Sequence, residues 1–221
     1  MTPAASLARI QLNTRSRDVQ RDLRDATQMH KTLMRLVPDN LGATPRYDVG
    51  LLFRVEETDR DLTLLVQATA PLNASGLPAD YGRTQIKDLT PMFRALRKGL
   101  AVRYRTVVNP VKRERLPLDL KGRRGKLIAL TGPDADQWWA RRAAEAGLHL
   151  TTLHPTPLDS AHPTRPRGDE NAPSMRHNLI RYDGTATVTD PEALAAAVLT
   201  GIGRAKSYGA GLLSLAPATT S

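Results

Sequence analysis

Every second residue is apolar in several short stretches of the first half of the chain. Ala8, Ile10 and Leu12 alternate with Arg9 and Gln11; Val49, Leu51, Phe53 and Val55 follow the same pattern. After a polar turn from Glu57 to Asp61, Leu62, Leu64, Val66 and Ala68 resume it. Strand side chains point alternately to opposite faces, so each stretch predicts a half-buried strand, and the last two together predict a hairpin. Between the first two stretches the period lengthens. Met29, Leu33, Leu36 and Val37 recur at helical spacing behind Asp25 and Gln28, a pair with the spacing of a capping box, and ahead of Pro38. A helix from about Ala26 to Val37 is predicted. A shorter helical piece, Pro91 to Lys98, ends at Gly99, and Leu100, Val102, Tyr104, Thr106 and Val108 then alternate with Arg103 and Arg105. The order is βαββαβ, that of one ferredoxin-like unit.

From Pro110 to Gly125 the periodicity fades into a polar, basic connector, which puts a domain boundary after residue 110. The second half then repeats the order. A strand is predicted near Lys126 to Leu130, a helix from about Asp134 to a cap at Gly147, and a strand from Leu148 to His154. A basic, proline-rich excursion from Pro155 to Pro173 leads to a strand near Asn178 to Thr187. Asp190 and Pro191 read as N-cap and first residue of a helix that stops at Gly201, and a last strand spans Leu212 to Leu215. The pattern therefore predicts an α+β fold of two tandem ferredoxin-like domains, residues 1–110 and 111–221. Trp138 and Trp139, in a predicted helix, are expected to serve packing before base stacking.

Composition sharpens the partner class. Thirty-two Lys and Arg against 22 Asp and Glu leave a formal charge of +10, which favours polyanions and nucleic acid first. Only 4% of residues are aromatic, so a folded, phosphate-rich shape such as hairpin RNA suits the surface better than a row of splayed bases. Cysteine is absent, which excludes disulfides and thiolate chemistry, and no stretch approaches membrane-spanning length. A cytoplasmic protein without membrane partners is expected. His149, His154 and His162 lack recognised metal-ligand spacing, and neither a metal nor another cofactor is expected.

The segment Gly201-Ile-Gly203-Arg204-Ala-Lys206-Ser-Tyr-Gly209-Ala-Gly211 stands apart. Its four glycines permit positive φ and can turn successive N–H groups toward an anion near Arg204 and Lys206. The same glycines also suit an ordinary helix cap followed by a tight turn into a strand. The spacing fits neither a Walker nor a Rossmann fingerprint, which disfavours a free mononucleotide.

Four separated segments, Gln28-Met-His30-Lys31-Thr-Leu, Val108-Asn-Pro-Val-Lys112, Arg181-Tyr-Asp-Gly184 with Thr189-Asp-Pro-Glu192, and the glycine segment through Leu213, together resemble the CasE family. These are CRISPR repeat-RNA endoribonucleases of type I-E systems. The resemblance covers nearly the whole chain. It implies two ferredoxin-like domains that bind the repeat stem-loop, cut the precursor transcript at the 3′ base of the stem, keep the mature guide RNA and join the Cascade complex. It also makes His30 the catalytic histidine, where the residue alone reads as an ordinary helix-surface side chain. An imidazole suits the chemistry, because attack of a ribose 2′-OH on its own phosphate needs a proton taken and a proton given near neutral pH. The family commonly has a tyrosine three residues earlier, and here that position is Thr27, whose hydroxyl shares a helical face with His30 but lacks the reach of a phenol. Lys31, Arg165, Arg167 and Arg176 are candidates to stabilise the phosphorane, the three arginines lying in the excursion that the family uses to grip the stem. Lys112, Arg113, Arg204, Lys206 and Gly201, Gly203, Gly209 and Gly211 are expected to hold RNA, with the glycine segment meeting the backbone while His30 cuts elsewhere. The competing expectation is a non-catalytic RNA-binding subunit of a ribonucleoprotein.

Overall fold

The computed structural model of the chain describes residues 2–37, 49–58, 61–115, 125–158 and 177–218. The first sheet consists of β1 (Ser6–Leu12), β2 (Leu52–Glu57), β3 (Leu62–Ala68) and β4 (Gly82–Asp88), in the order β2-β3-β1-β4 with all neighbours antiparallel. Two helices, α1 (Arg17–Arg24) and α2 (Ala26–Met34), follow β1. The alternation in β1 buries Ala8, Ile10 and Leu12 beneath Met29 and Leu33 of α2, together with Leu64 and Val66 of β3. Burial of this kind contributes roughly 1.5–3 kcal/mol for each large aliphatic side chain.

The second sheet has the order β11-β5-β10-β8, formed by β5 (Ala101–Val108), β8 (Leu148–Leu150), β10 (Ile180–Val188) and β11 (Leu213–Pro217). A further strand, β9 (His154–Pro157), also pairs with β10. Helices α4 (Gly132–Glu145) and α5 (Pro191–Thr200) cover one face, and a short helix α3 (Thr90–Ala95) adds Phe93 to the same core. Trp139 is fully buried between Tyr104 and Tyr182, and Trp138 is buried beneath the Arg142 guanidinium. Both rings pack, as expected. A two-stranded ribbon, β6 (Val111–Arg113) with β7 (Leu127–Ala129), stands outside both sheets.

Both sheets follow the ferredoxin-like strand order, so the expected α+β fold is the one the chain adopts. The partition of strands differs from expectation. β5 does not close the first sheet; it pairs with β10 and β11 and opens the second. The fourth strand of the first sheet is instead β4, where the pattern showed nothing, and a 3-10 turn, Ala74–Gly76, precedes it; the second helix, expected from Pro91 to Lys98, forms as α3 but packs in the second core. The change of sheet therefore falls between β4 and β5, before residue 101 and not after residue 110. The predicted first helix also stops at Met34, and the strand expected from Leu148 to His154 is divided into β8 and β9.

Two buried polar side chains fasten the halves together. Arg54 of β2, 2% exposed, donates from Nη1 to the carbonyls of Leu212 at 3.0 Å and Arg105 at 3.1 Å, and from Nη2 to Ser214 Oγ at 2.9 Å. Its charge is met by Glu56 at 2.6 Å, while burial pulls the guanidinium below its ordinary pKa. Gln67 of β3 donates to the carbonyl of Val198 in α5 at 2.6 Å.

Candidate active site

Helix α2 begins at a working N-cap. The Asp25 carboxylate accepts from the Thr27 amide at 2.8 Å and the Gln28 amide at 3.4 Å, satisfying two of the N–H groups that a helix start leaves without intrahelical partners. Met29, Thr32 and Leu33 point into the first core. Thr27, His30 and Lys31, at i, i+3 and i+4, share the outward face; His30 is half-buried and the other two are exposed. The cap thus fixes where the helix starts, and His30 follows just past its first turn.

The glycine segment is brought to this same helix. After α5 the chain forms a closed loop, pinned where the Ile202 amide donates to the Gly211 carbonyl at 2.9 Å and the Gly211 amide donates to Val107 of β5 at 2.7 Å. Within it a 3-10 turn, Lys206–Tyr208, packs against both α2 and β2. The expectation that the segment holds RNA at a distance from His30 is therefore corrected. The loop closes because α5 and β11 flank β5-bonded backbone, and that closure carries Lys206 and Tyr208 to the first domain's helix.

Two glycines explain why the loop fits. Gly201 has φ 72° and ψ 159°, a region that essentially only glycine occupies, and a Cβ there would lie 2.7 Å from the Leu52 side chain. Gly209, at φ 82°, would place a Cβ 3.3 Å from the Phe53 ring. These glycines serve conformation and close packing on β2. Gly201→Ala is expected to lower unfolding stability by about 1–3 kcal/mol, read as a shifted urea midpoint with an unchanged slope. A midpoint equal to that of the parent would show that the backbone relaxes freely at this corner.

Beside the turn lies a histidine to which the sequence assigned no role. His177, just before β10, has its ring centroid 4.3 Å from that of Tyr208, at an interplanar angle of 44°. Its Nδ1 lies 3.2 Å from Nδ2 of Asn109, the residue that follows β5. Burial lowers its pKa below the ordinary imidazole value, so the ring is neutral near pH 7 and Nδ1 accepts from the amide in the orientation assigned to Asn109. No periodicity flags His177, because its importance lies in a contact with Tyr208, far along the chain.

The other expected site residues scatter. Lys112 and Arg113 are exposed on the β6-β7 ribbon; Lys112 lies 3.8 Å from Asp134, and Arg113 donates to the Gly125 carbonyl at 2.8 Å. Arg204 is exposed on the loop, whereas Lys206 is half-buried. Gly203 lies against Trp138, and a Cβ on Gly211 would crowd the Lys206 side chain. Arg165, Arg167 and Arg176, with His162, lie outside the described residues. His149 and His154 sit apart on β8 and β9, and the described residues contain no cluster of three or more metal-ligating side chains. None of the described helices is long and apolar enough to cross a membrane.

A separate groove of about 540 Å³ opens between the sheets, lined by Arg54, Arg103, Arg105, Glu56 and Asp183 among others. Arg105 pairs with Asp183 and with Glu56, and Arg54 is committed as described above. Its aromatic residue, Tyr104, is buried and donates its hydroxyl proton to the Thr152 carbonyl at 3.0 Å. The groove thus presents Arg54 and Arg105 engaged by Glu56 and Asp183, with Arg103 outside those pairs, and its tyrosine is buried and offers no stacking platform.

A family model described as CRISPR associated protein matches residues 7–217. The chain is 32% identical over 222 residues to the CRISPR-associated endoribonuclease Cse3 of Thermus thermophilus, covering 96% of this chain and 99% of that protein. It is 31% identical over 200 residues to the CRISPR system Cascade subunit CasE of Escherichia coli, covering 88% and 93% respectively. Among solved structures, CRISPR endoribonuclease Cse3 bound to a 19-nucleotide RNA superposes with a TM-score of 0.80 at 30% identity, covering 97% of this chain and all of that one.

Proposed function

The chain belongs to the family of CRISPR-associated proteins, and from that premise we propose that it is an endoribonuclease of precursor CRISPR RNA. It binds the repeat stem-loop, cuts at the 3′ base of the stem and stays on the mature guide RNA as a subunit of Cascade. The observation that carries this reading is the packing of the Lys206–Tyr208 turn on the helix that presents His30. In a chain 32% identical to an endoribonuclease over nearly its whole length, the packing of a cation-bearing turn on the helix that carries His30 supports the reading.

The chemistry needs no metal ion. The ribose 2′-oxygen attacks the adjacent phosphorus while the P–O5′ bond breaks, giving a 2′,3′-cyclic phosphate and a 5′-hydroxyl. The 2′-OH proton must leave and the departing 5′-oxygen must gain one. His30 is positioned to exchange one of these protons, with the Thr27 hydroxyl beside it on the helix face to orient phosphate or water. Lys31 on α2 and Lys206 on the turn supply positive charge for the crowded phosphorane. Exposed Arg204, Lys112 and Arg113 add to the basic surface that grips phosphate, and the excursion bearing Arg165, Arg167 and Arg176 belongs to the same proposal. The reading places the protein in the cytoplasm, with the transcript.

The test is cleavage of a repeat hairpin RNA in EDTA, alongside a copy carrying a 2′-deoxy substitution at the cut site. Cleavage of the normal RNA with the deoxy copy intact is expected. Loss of activity on chelation, or cutting of the deoxy copy, would overturn the chemistry; tight binding of both RNAs without cleavage would favour a purely RNA-binding subunit.

A further inference from the structure

We propose that His177 is a positioning residue for RNA cleavage: by clamping the Tyr208 ring it fixes the Lys206–Tyr208 turn against the helix that presents His30. The inference rests on the endoribonuclease reading above and assigns a role to a residue that touches neither the cut site nor α2 in that reading.

The turn needs a clamp. Ala205, which opens it, is the only described non-glycine residue with positive φ, at 65°, and Gly209 closes it at φ 82°. Left-handed backbone at an alanine costs about 1–2 kcal/mol and persists only where the surroundings over-determine it. Inside the turn the bonds are local: the Tyr208 amide donates to Ala205 at 2.9 Å and the Gly209 amide to Lys206 at 3.2 Å. Such bonds hold the shape of the turn without fixing where it sits.

Its seat comes from β5. The Gly211 amide is tied to Val107, and two residues further on Asn109 meets His177, whose ring lies on Tyr208. Backbone and side chain thus reach the turn from the same strand end, one at its base and one at its aromatic tip. Asn109, 7% exposed, sets the plane of the imidazole through Nδ1, and the neutral ring can lie against a phenol without a counter-charge. The turn also meets α2 and β2. A turn released at its tip would let Lys206 and Tyr208 swing away from the helix, and small displacements of this kind reduce rates far more than binding.

The experiment compares the parent protein with His177→Ala and His177→Phe, the second keeping a ring without the nitrogens. Single-turnover cleavage of hairpin RNA at saturating protein is expected to fall about ten- to hundredfold in His177→Ala, with affinity for the 2′-deoxy hairpin within about threefold of the parent. His177→Phe, which keeps a ring against Tyr208 but loses the bond to Asn109, should recover part of the rate. An unchanged rate in His177→Ala, a parallel fall of rate, affinity and melting temperature, or no recovery in His177→Phe would each overturn the proposal. A second arm needs no activity: in the RNA-free protein, the His30 imidazole NMR resonance should move in His177→Ala and return toward its parent position in His177→Phe. If the parent fails to cut RNA, the endoribonuclease reading falls, while a His30 resonance indifferent to His177 sinks the clamp by itself.

Discussion

His30→Ala is expected to slow single-turnover cleavage of hairpin RNA by about 10²–10⁴-fold, the range for loss of a positioned proton-transfer group, while affinity for the uncut RNA changes little. The separation of the two effects follows from position. His30 is half-buried and stands outside the hydrophobic core cluster that takes in Met29 and Leu33, so its removal leaves that core intact. Lys112, Arg113 and Arg204, which would grip phosphate, belong to other elements and are left intact by the substitution. A variant that cut within a few-fold of the parent rate would move proton transfer to another group. Thr27→Tyr offers a companion measurement: a phenol three residues before His30 on the exposed helix face should raise the single-turnover rate, because it restores a longer hydroxyl-bearing side chain beside the imidazole.

Arg54→Ala should produce the largest loss of stability, about 3–5 kcal/mol, as expected on removing one partner of a buried ion pair. The substitution would leave the carbonyls of Leu212 and Arg105 without their guanidinium donor and Glu56 without its nearest charge. Arg105 lies in β5 and Leu212 directly before β11, so the damage would fall on the union of the two sheets as much as on β2. Urea unfolding would report it, with a lower midpoint and a broadened or divided transition as the halves uncouple. A loss below about 1 kcal/mol would show that water replaces the guanidinium at no great penalty.

Where one face of an element is buried, the sequence displays it. Ile10 and Leu12, Leu64 and Val66, Val102 and Tyr104 all fall on buried faces, and their alternation predicted β1, β3 and β5. Asp25 and Asp190 act as the helix caps their positions suggested, each carboxylate accepting from two backbone amides. The strand β4 escaped notice because it is an edge strand with almost every residue exposed, so its side chains carry no burial pattern. Helix α1 escaped for a related reason: charges fill it, and it buries only Val19 and Asp22, the latter accepting the Tyr81 hydroxyl proton at 2.9 Å. β5 was legible as a strand but not as a member of the second sheet, because local alternation says which face is buried and nothing about which strand lies alongside.

The candidate site was half legible. Thr27, His30 and Lys31 fall near one another on the helix by spacing alone, whereas the packing of that helix against the turn that carries Tyr208 arises from pairing between distant strands. Asn109 lay within a motif that carried the family resemblance, yet its contact with His177 depends on β5 and β10 being neighbours.

The pinning of the glycine loop to Val107 gives the site an order of assembly. His30 is present as soon as the first sheet forms, but the turn that faces its helix belongs to residues held in place by β11 lying against β5. A chain emerging from the ribosome can therefore display the imidazole long before residues 201–217 arrive to complete the surface around it. Completion of the candidate site is thereby coupled to the pairing of β11 with β5, and an incompletely synthesised chain would carry His30 without the turn that packs on its helix.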